Sequence, residues 1–127
     1  MTQMHTVAAT EIDPKIEALI GEWLTLTDCA ERLSLNLSRV KQLLRDHKLI
    51  AVHRDGGLMV PAVFIQQGAV VKGLHGTLTV LADAGFDSGE ALRWLFTVDE
   101  SLPGTPAQAL AEHRATEINR RAQALAF

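Results

Sequence analysis

A chain of 127 residues, 47% hydrophobic and 21% charged, is long enough to bury one respectable core, and its composition excludes wholesale disorder. One cysteine, Cys29, permits no internal disulfide and suits a reducing cytoplasm, and no apolar run approaches membrane-spanning length. The net charge of −3 is not that of a strongly basic chain, but it is unevenly spread: residues 1–24 carry one lysine against four acids, residues 25–60 six Lys/Arg against four, and residues 61–127 five against seven. Only the middle segment is positive.

Residues 1–12 read as a flexible tail with three threonines, Thr2, Thr6 and Thr10, and without the basic start and apolar core of a secretory signal. Asp13-Pro14 is a helix start, and Ile16, Leu19, Ile20 and Trp23 give the following turns an apolar face. Thr25 stands three residues before Asp28, the spacing of a capping box, and Leu26, Cys29, Ala30 and Leu33 line one stripe of the helix it opens. Cys29 on that stripe reads as a buried structural thiol.

Ser34-Leu35-Asn36 interrupts the pattern, and Asn36 is a good cap for a further helix. There Leu37, Val40, Leu43 and Leu44 are expected to face inward. Ser38, Arg39, Lys41, Gln42 and Arg45 face outward, with no acid until Asp46 and with Lys48 just beyond. A surface helix normally mixes charge signs, so a one-signed face is informative. Arginine suits guanine edges, glutamine adenine edges, and lysine phosphate. Leu49–Arg54 and Leu58–Val60 are β-prone runs around Asp55-Gly56-Gly57, a hairpin signal that places His53 and Arg54 at its tip, and Pro61 ends the second run. Helix, turn, helix and hairpin in this order make the plan of a winged helix-turn-helix, a module that binds duplex DNA. Ser38, Arg39 and Gln42 then approach base edges. Lys41, Arg45, Lys48, His53 and Arg54 complete the DNA-contacting set, with Lys41, Arg45 and Arg54 on phosphate.

Beyond the hairpin, Val63, Phe64 and Ile65 form a short buried element and Gln66-Gln67-Gly68 a break, while Ala69 to Leu74 is open between strand and helix. Thr77 is expected to cap a helix through Ala84, with Gly85 as its stop. Asp87 and Glu90 start another, to Phe96, whose outward Ser88, Glu90 and Arg93 make a poor phosphate grip and read as scaffold. A loop from Val98 to Thr105, with Pro103-Gly104, leads to Thr105-Pro106 and one long last helix. Its stripe of Ala107, Leu110, Ala111, Ile118, Ala122 and Leu125 packs on its own domain or forms a dimer seam. His5, His47, His53, His75 and His113 are scattered without metal-ligand or catalytic spacing, so neither an enzyme, a cofactor nor a metal is expected.

The run from Thr25 to Pro61 resembles the excisionase and MerR-type winged helix-turn-helix, keeping Thr25, Asp28, Ala30, Leu33, Leu35, Ala51, Val52, Gly56, Gly57 and Pro61. It departs at Ser34, where glycine is usual, and at Asn36, where serine is. More closely, the chain resembles a family of small actinobacterial winged-helix DNA-binding proteins linked to serine/threonine kinase signalling. The runs that carry this likeness are Val70-Val71-Lys72, Leu74, Gly76 to Leu81, Leu92 to Thr97 and Arg120 to Ala124, and it extends from Trp23 to Phe127. The kinase link implies phosphorylation of tail threonines, Thr6 and Thr10 foremost, where added negative charge would oppose DNA binding. WLFTVDESLPGTPAQAL is also loosely similar to the partner-binding C-terminal segment of certain antitoxins, without its usual asparagine.

The expected fold is mostly α: a flexible tail over 1–12, a winged helix-turn-helix with a small β-hairpin wing over 13–66, and a C-terminal helical region over 67–127 packed on it. The expected function is sequence-specific duplex DNA binding by a cytoplasmic transcriptional regulator. A Ser/Thr kinase and a second copy of the chain are its candidate partners. A protein-interaction adaptor and an excisionase-like recombination factor are the alternatives.

Overall fold

The computed structural model describes residues 14–102 and 104–125. The expected cap at Asp13, the threonines of the tail and Pro103 lie outside the described residues.

Helix α1, Pro14–Ile20, buries Ile16 and Ile20. It is shorter than expected. Gly21 turns left-handed at φ +72, a conformation nearly free only for glycine, and Trp23–Thr25 leaves the helix as strand β1. Leu19 is consequently 48% exposed, and Trp23 belongs to a sheet, not to a helix face. Helix α2, Leu26–Leu33, opens on the full capping box: the Asp28 N–H donates to Thr25 Oγ1 (3.0 Å) and the Thr25 N–H to Asp28 Oδ2 (3.2 Å). It closes at Ser34, held at φ +56, from which the Leu35 N–H reaches back to the Ala30 carbonyl (3.0 Å). This left-handed position is why glycine suits the site in similar sequences, and serine tolerates it at a cost.

Helix α3, Leu37–Arg45, precedes strands β2, Val52–Arg54, and β3, Gly57–Pro61. The sheet order is β1-β3-β2, antiparallel throughout, with Leu24 opposite Val60 and Val52 opposite Met59. The hairpin turn is only Asp55-Gly56, at φ +50 and +86, as a two-residue type I′ turn requires. A 3-10 turn, Ala62–Phe64, then leads into a two-residue hairpin of β4, Ile65–Gln66, and β5, Ala69–Val70. The stretch left open in the sequence therefore divides, strand first and helix from Leu74.

Helix α4, Leu74–Asp83, begins at Gly73, so Thr77 is not its cap. Thr77 is fully buried inside the helix, where its hydroxyl bonds Asn119 Oδ1 and lies 3.3 Å from the Gly73 carbonyl. Gly85 does stop the helix, at φ +94, with the Phe86 N–H bonded to the Leu81 carbonyl (3.0 Å). Helix α5, Ser88–Leu95, starts on the expected Asp87/Glu90 box. The long terminal helix is in fact two, α6, Pro106–Ala111, and α7, Ala115–Ala124. His113 breaks it: at φ +68 it lets the Arg114 N–H close on the Ala109 carbonyl (2.9 Å), and the chain turns back so that α7 packs along α4. A Cβ at Gly73 would overlap that of Ala115, and one at Gly76 would lie 2.9 Å from Asn119 Nδ2, so the glycines permit this approach.

Cys29 and Val40 of the helix pair, Leu24, Val52 and Val60 of the sheet, and Leu74, Leu92, Leu110 and Ile118 of the C-terminal helices join one hydrophobic core. Phe64 and Phe96 meet across it, ring centroids 5.6 Å apart and tilted by 54°. The C-terminal helices thus support the winged helix from behind.

Candidate nucleic-acid interface

Asn36 accepts the Arg39 N–H on its side-chain oxygen (2.9 Å) and sets where α3 begins. The helix ends on another left-handed residue, His47 (φ +57), with the Lys48 N–H returning to the Leu43 carbonyl (2.9 Å). His75 of α4 bonds through Nδ1 to the His47 carbonyl (3.0 Å), so the C-terminal region grips the end of α3 directly. Val40 is fully buried, Leu43 and Leu44 are partly buried, and the opposite face meets solvent.

Ser38, Arg39, Lys41, Gln42, Arg45 and Lys48 are all exposed on or just after α3, and His53 is exposed on β2. Arg45 donates to Gln42 Oε1 (2.8 Å), and Gln42 in turn donates to Asp46 Oδ1 (3.0 Å), a chain that lies outward along the helix. Among the described residues, Arg39, Lys41, Arg45 and Lys48 make no ion pair. Arg32 pairs with Glu22, Arg54 with Glu17, Arg114 with Glu112 and Glu117, and Arg121 with Asp99 and Glu117. The carboxylates of Asp99 and Glu117 are held below their usual range, by hydrogen bonds from Ser101 and from Arg121 respectively. Lys72, Arg93 and Arg120 are likewise outside these pairs but lie apart along the C-terminal region, whereas the four cations from Arg39 to Lys48 fall within ten residues on or just after α3.

Arg54 departs from the expected free wing cation. Its partner across the hairpin is Gly57, so it stands at the base of the turn and the exposed tip carries the acid Asp55. Alternation along the strands puts its side chain on the sheet face shared by Met59 and Trp23. There the guanidinium lies 4.5 Å over the Trp23 ring and 2.5 Å from Glu17 Oε2, with 21% of the side chain exposed. The Trp23 Nε1, buried, has no hydrogen-bond partner among the described residues. Leu37 also departs from expectation: it is 40% exposed at the start of α3. The sequence offered no signal for either arrangement, since both depend on where the sheet lies against α1 and α3.

Cys29 is fully enclosed, and desolvation pushes its thiol up to about 11, which removes it from thiolate chemistry at neutral pH. Among the described residues no three His, Cys, Asp or Glu side chains gather where a metal could bind, and no helix is long and apolar enough to cross a membrane.

A capped helix pair, a cationic second helix and a three-stranded sheet ending in a tight hairpin define a winged helix-turn-helix protein. Comparison with known proteins narrows the class. Residues 12–65 match the family described as DNA-binding protein Rv2175c, wHTH domain, and residues 71–126 match the Rv2175c C-terminal domain of unknown function. The chain is 45% identical over 111 residues to the DNA-binding protein Rv2175c of Mycobacterium tuberculosis, covering 77% of this chain and 76% of that one. The NMR structure of Rv2175c superposes with a TM-score of 0.79 at 40% identity, over 91% of this chain and 85% of the other. The chain belongs to the Rv2175c family.

Proposed function

We propose that this protein binds duplex DNA in a sequence-specific way through α3 and the adjoining wing, and that it acts in the cytoplasm as a transcriptional regulator. The observation that supports this most is the set of four exposed cations, Arg39, Lys41, Arg45 and Lys48, without acid partners among the described residues, on or just after the second helix of a helix-turn-helix. The printed name of the M. tuberculosis relative, a DNA-binding protein, points the same way. Ser38, Arg39 and Gln42 face base edges. Lys41, Arg45 and Lys48 hold phosphate, His53 touches the backbone from the wing, and Arg54 joins them once it leaves Glu17. Winged-helix proteins often read paired half-sites, so two copies on one duplex are part of this reading, as is control by a Ser/Thr kinase acting on Thr6 and Thr10.

Fluorescence anisotropy of labelled duplex DNA from the gene's own upstream region, titrated at several salt concentrations, is the test. Three phosphates neutralised by Lys41, Arg45 and Lys48 predict that log K falls with log salt at a slope of about −2.7 per copy. Arg39→Ala/Arg45→Ala should flatten the slope by about 0.9, the share of Arg45, and relax sequence preference at the base that Arg39 meets, with the melting curve unchanged. A folded protein that binds no duplex at low salt would sink the proposal.

A further inference from the structure

Leu37 is the first residue of α3 and the one apolar side chain among its leading exposed positions. At 100° per residue it lies at the margin of the buried arc of Val40, Leu43 and Leu44, on the same edge as Lys41 one turn later. That edge faces the wing. With Leu26 and Thr27 of α2, Leu58 and Met59 of β3, and Arg54 and Asp55 at the hairpin, Leu37 lines a groove of about 380 Å³ between the helix pair and the hairpin. Leu37 is followed by Ser38 and Arg39 and shares its edge of α3 with Lys41, so its partner is an apolar projection on the polyanion that those cations meet. Duplex DNA presents one such projection in its major groove, the 5-methyl group of thymine, and leading residues of a recognition helix are the ones that reach base edges.

We propose that Leu37 packs against a thymine 5-methyl group and so reads an A·T pair at one position of each half-site. This rests on the DNA-binding reading above and adds a specificity determinant outside its polar set. It calls for no ionic contact, so it affects base preference and leaves the salt dependence alone.

The test replaces each thymine of a bound duplex in turn by deoxyuridine, which removes the methyl group and nothing else. For the parent protein, one substitution per half-site should weaken binding about fourfold, the effect of uncovering one methyl-sized apolar group. Leu37→Ala should bind thymine and deoxyuridine alike at that position, with an unchanged salt slope. Leu37→Met, which keeps an apolar side chain on a good helix former, should retain the preference, and it guards against a folding defect in the alanine variant. A parent that binds a defined duplex yet tolerates deoxyuridine everywhere overturns the inference, as does a preference that survives Leu37→Ala. Uniform weakening by Leu37→Ala at every sequence assigns the side chain to deoxyribose and likewise overturns it. A parent that binds no duplex instead refutes the DNA-binding reading beneath it.

Discussion

Replacing Glu17 by glutamine should weaken the fold and strengthen DNA binding at once. Glu17 Oε2 lies 2.5 Å from the Arg54 guanidinium, which lies 4.5 Å over Trp23. With Arg54 21% and Glu17 45% exposed, water screens the ion pair to the surface range, about 0.5–1 kcal/mol. The cation–ring contact adds about 0.5–1 kcal/mol. Glu17→Gln therefore costs about 0.5–1 kcal/mol and Arg54→Ala about 1–2 kcal/mol, at roughly 3–5 °C of Tm per kcal/mol for a chain of this size. The DNA equilibrium moves the other way. An arginine no longer neutralised within the protein is available to one more phosphate, which steepens the salt slope by about 0.9 and tightens binding at low salt. Circular-dichroism melts of both single variants and the double variant isolate the pair energy. Tryptophan emission in a Trp94→Phe background follows Trp23 as the cation leaves it, and anisotropy supplies the slope. If Glu17→Gln changes neither Tm nor slope, the contact does not hold Arg54 and the reasoning fails.

Two further expectations concern the frame. Gly73→Ala combines a left-handed φ of +90 with a Cβ that overlaps that of Ala115, so strain and overpacking together should cost about 2–4 kcal/mol in urea melts. Adding Ala115→Gly should recover the steric share alone, and a Gly73→Ala melt like the parent's would exclude the close approach of α4 and α7. The Cys29 thiol titrates at about 11 when folded against its ordinary 9.0, so the unfolded chain loses its proton first as pH rises. Stability from this group is complete below pH 9 and declines as pH climbs toward 11. Native protein at pH 9 should resist iodoacetamide while urea-unfolded protein reacts, and equal rates would count against a sealed thiol.

Features written within a few residues of one another were legible in the sequence. The Thr25/Asp28 and Asp87/Glu90 boxes, the Asn36 cap and the Asp55-Gly56 turn each join residues two to four apart, and the hydrogen bonds are where the spacing puts them. They sufficed for the helix pair and the hairpin, because a cap or a turn is a local event that side chains decide before any packing. The one-signed outer face of α3 was legible for the same reason, as helical period alone brings those positions together.

What the sequence left unwritten depends on residues far apart. Ser34, His47 and His113 take the left-handed conformation that glycine usually marks, so no composition signal showed that the last helix breaks at His113. Tertiary packing selects those turns, since only a chain that reverses there lays α7 along α4 and lets His75 hold the end of α3. Strand β1 exists because β3 offers it a pairing edge more than thirty residues later, which a three-residue run cannot announce. Arg54 and Glu17 are 37 positions apart, and Leu37 is exposed because the wing stops short of covering it. Which cation is spoken for and which apolar side chain is left open are properties of surfaces that meet only on folding. The sequence by itself therefore determined the module, and the tertiary structure decided which of its side chains are presented for use.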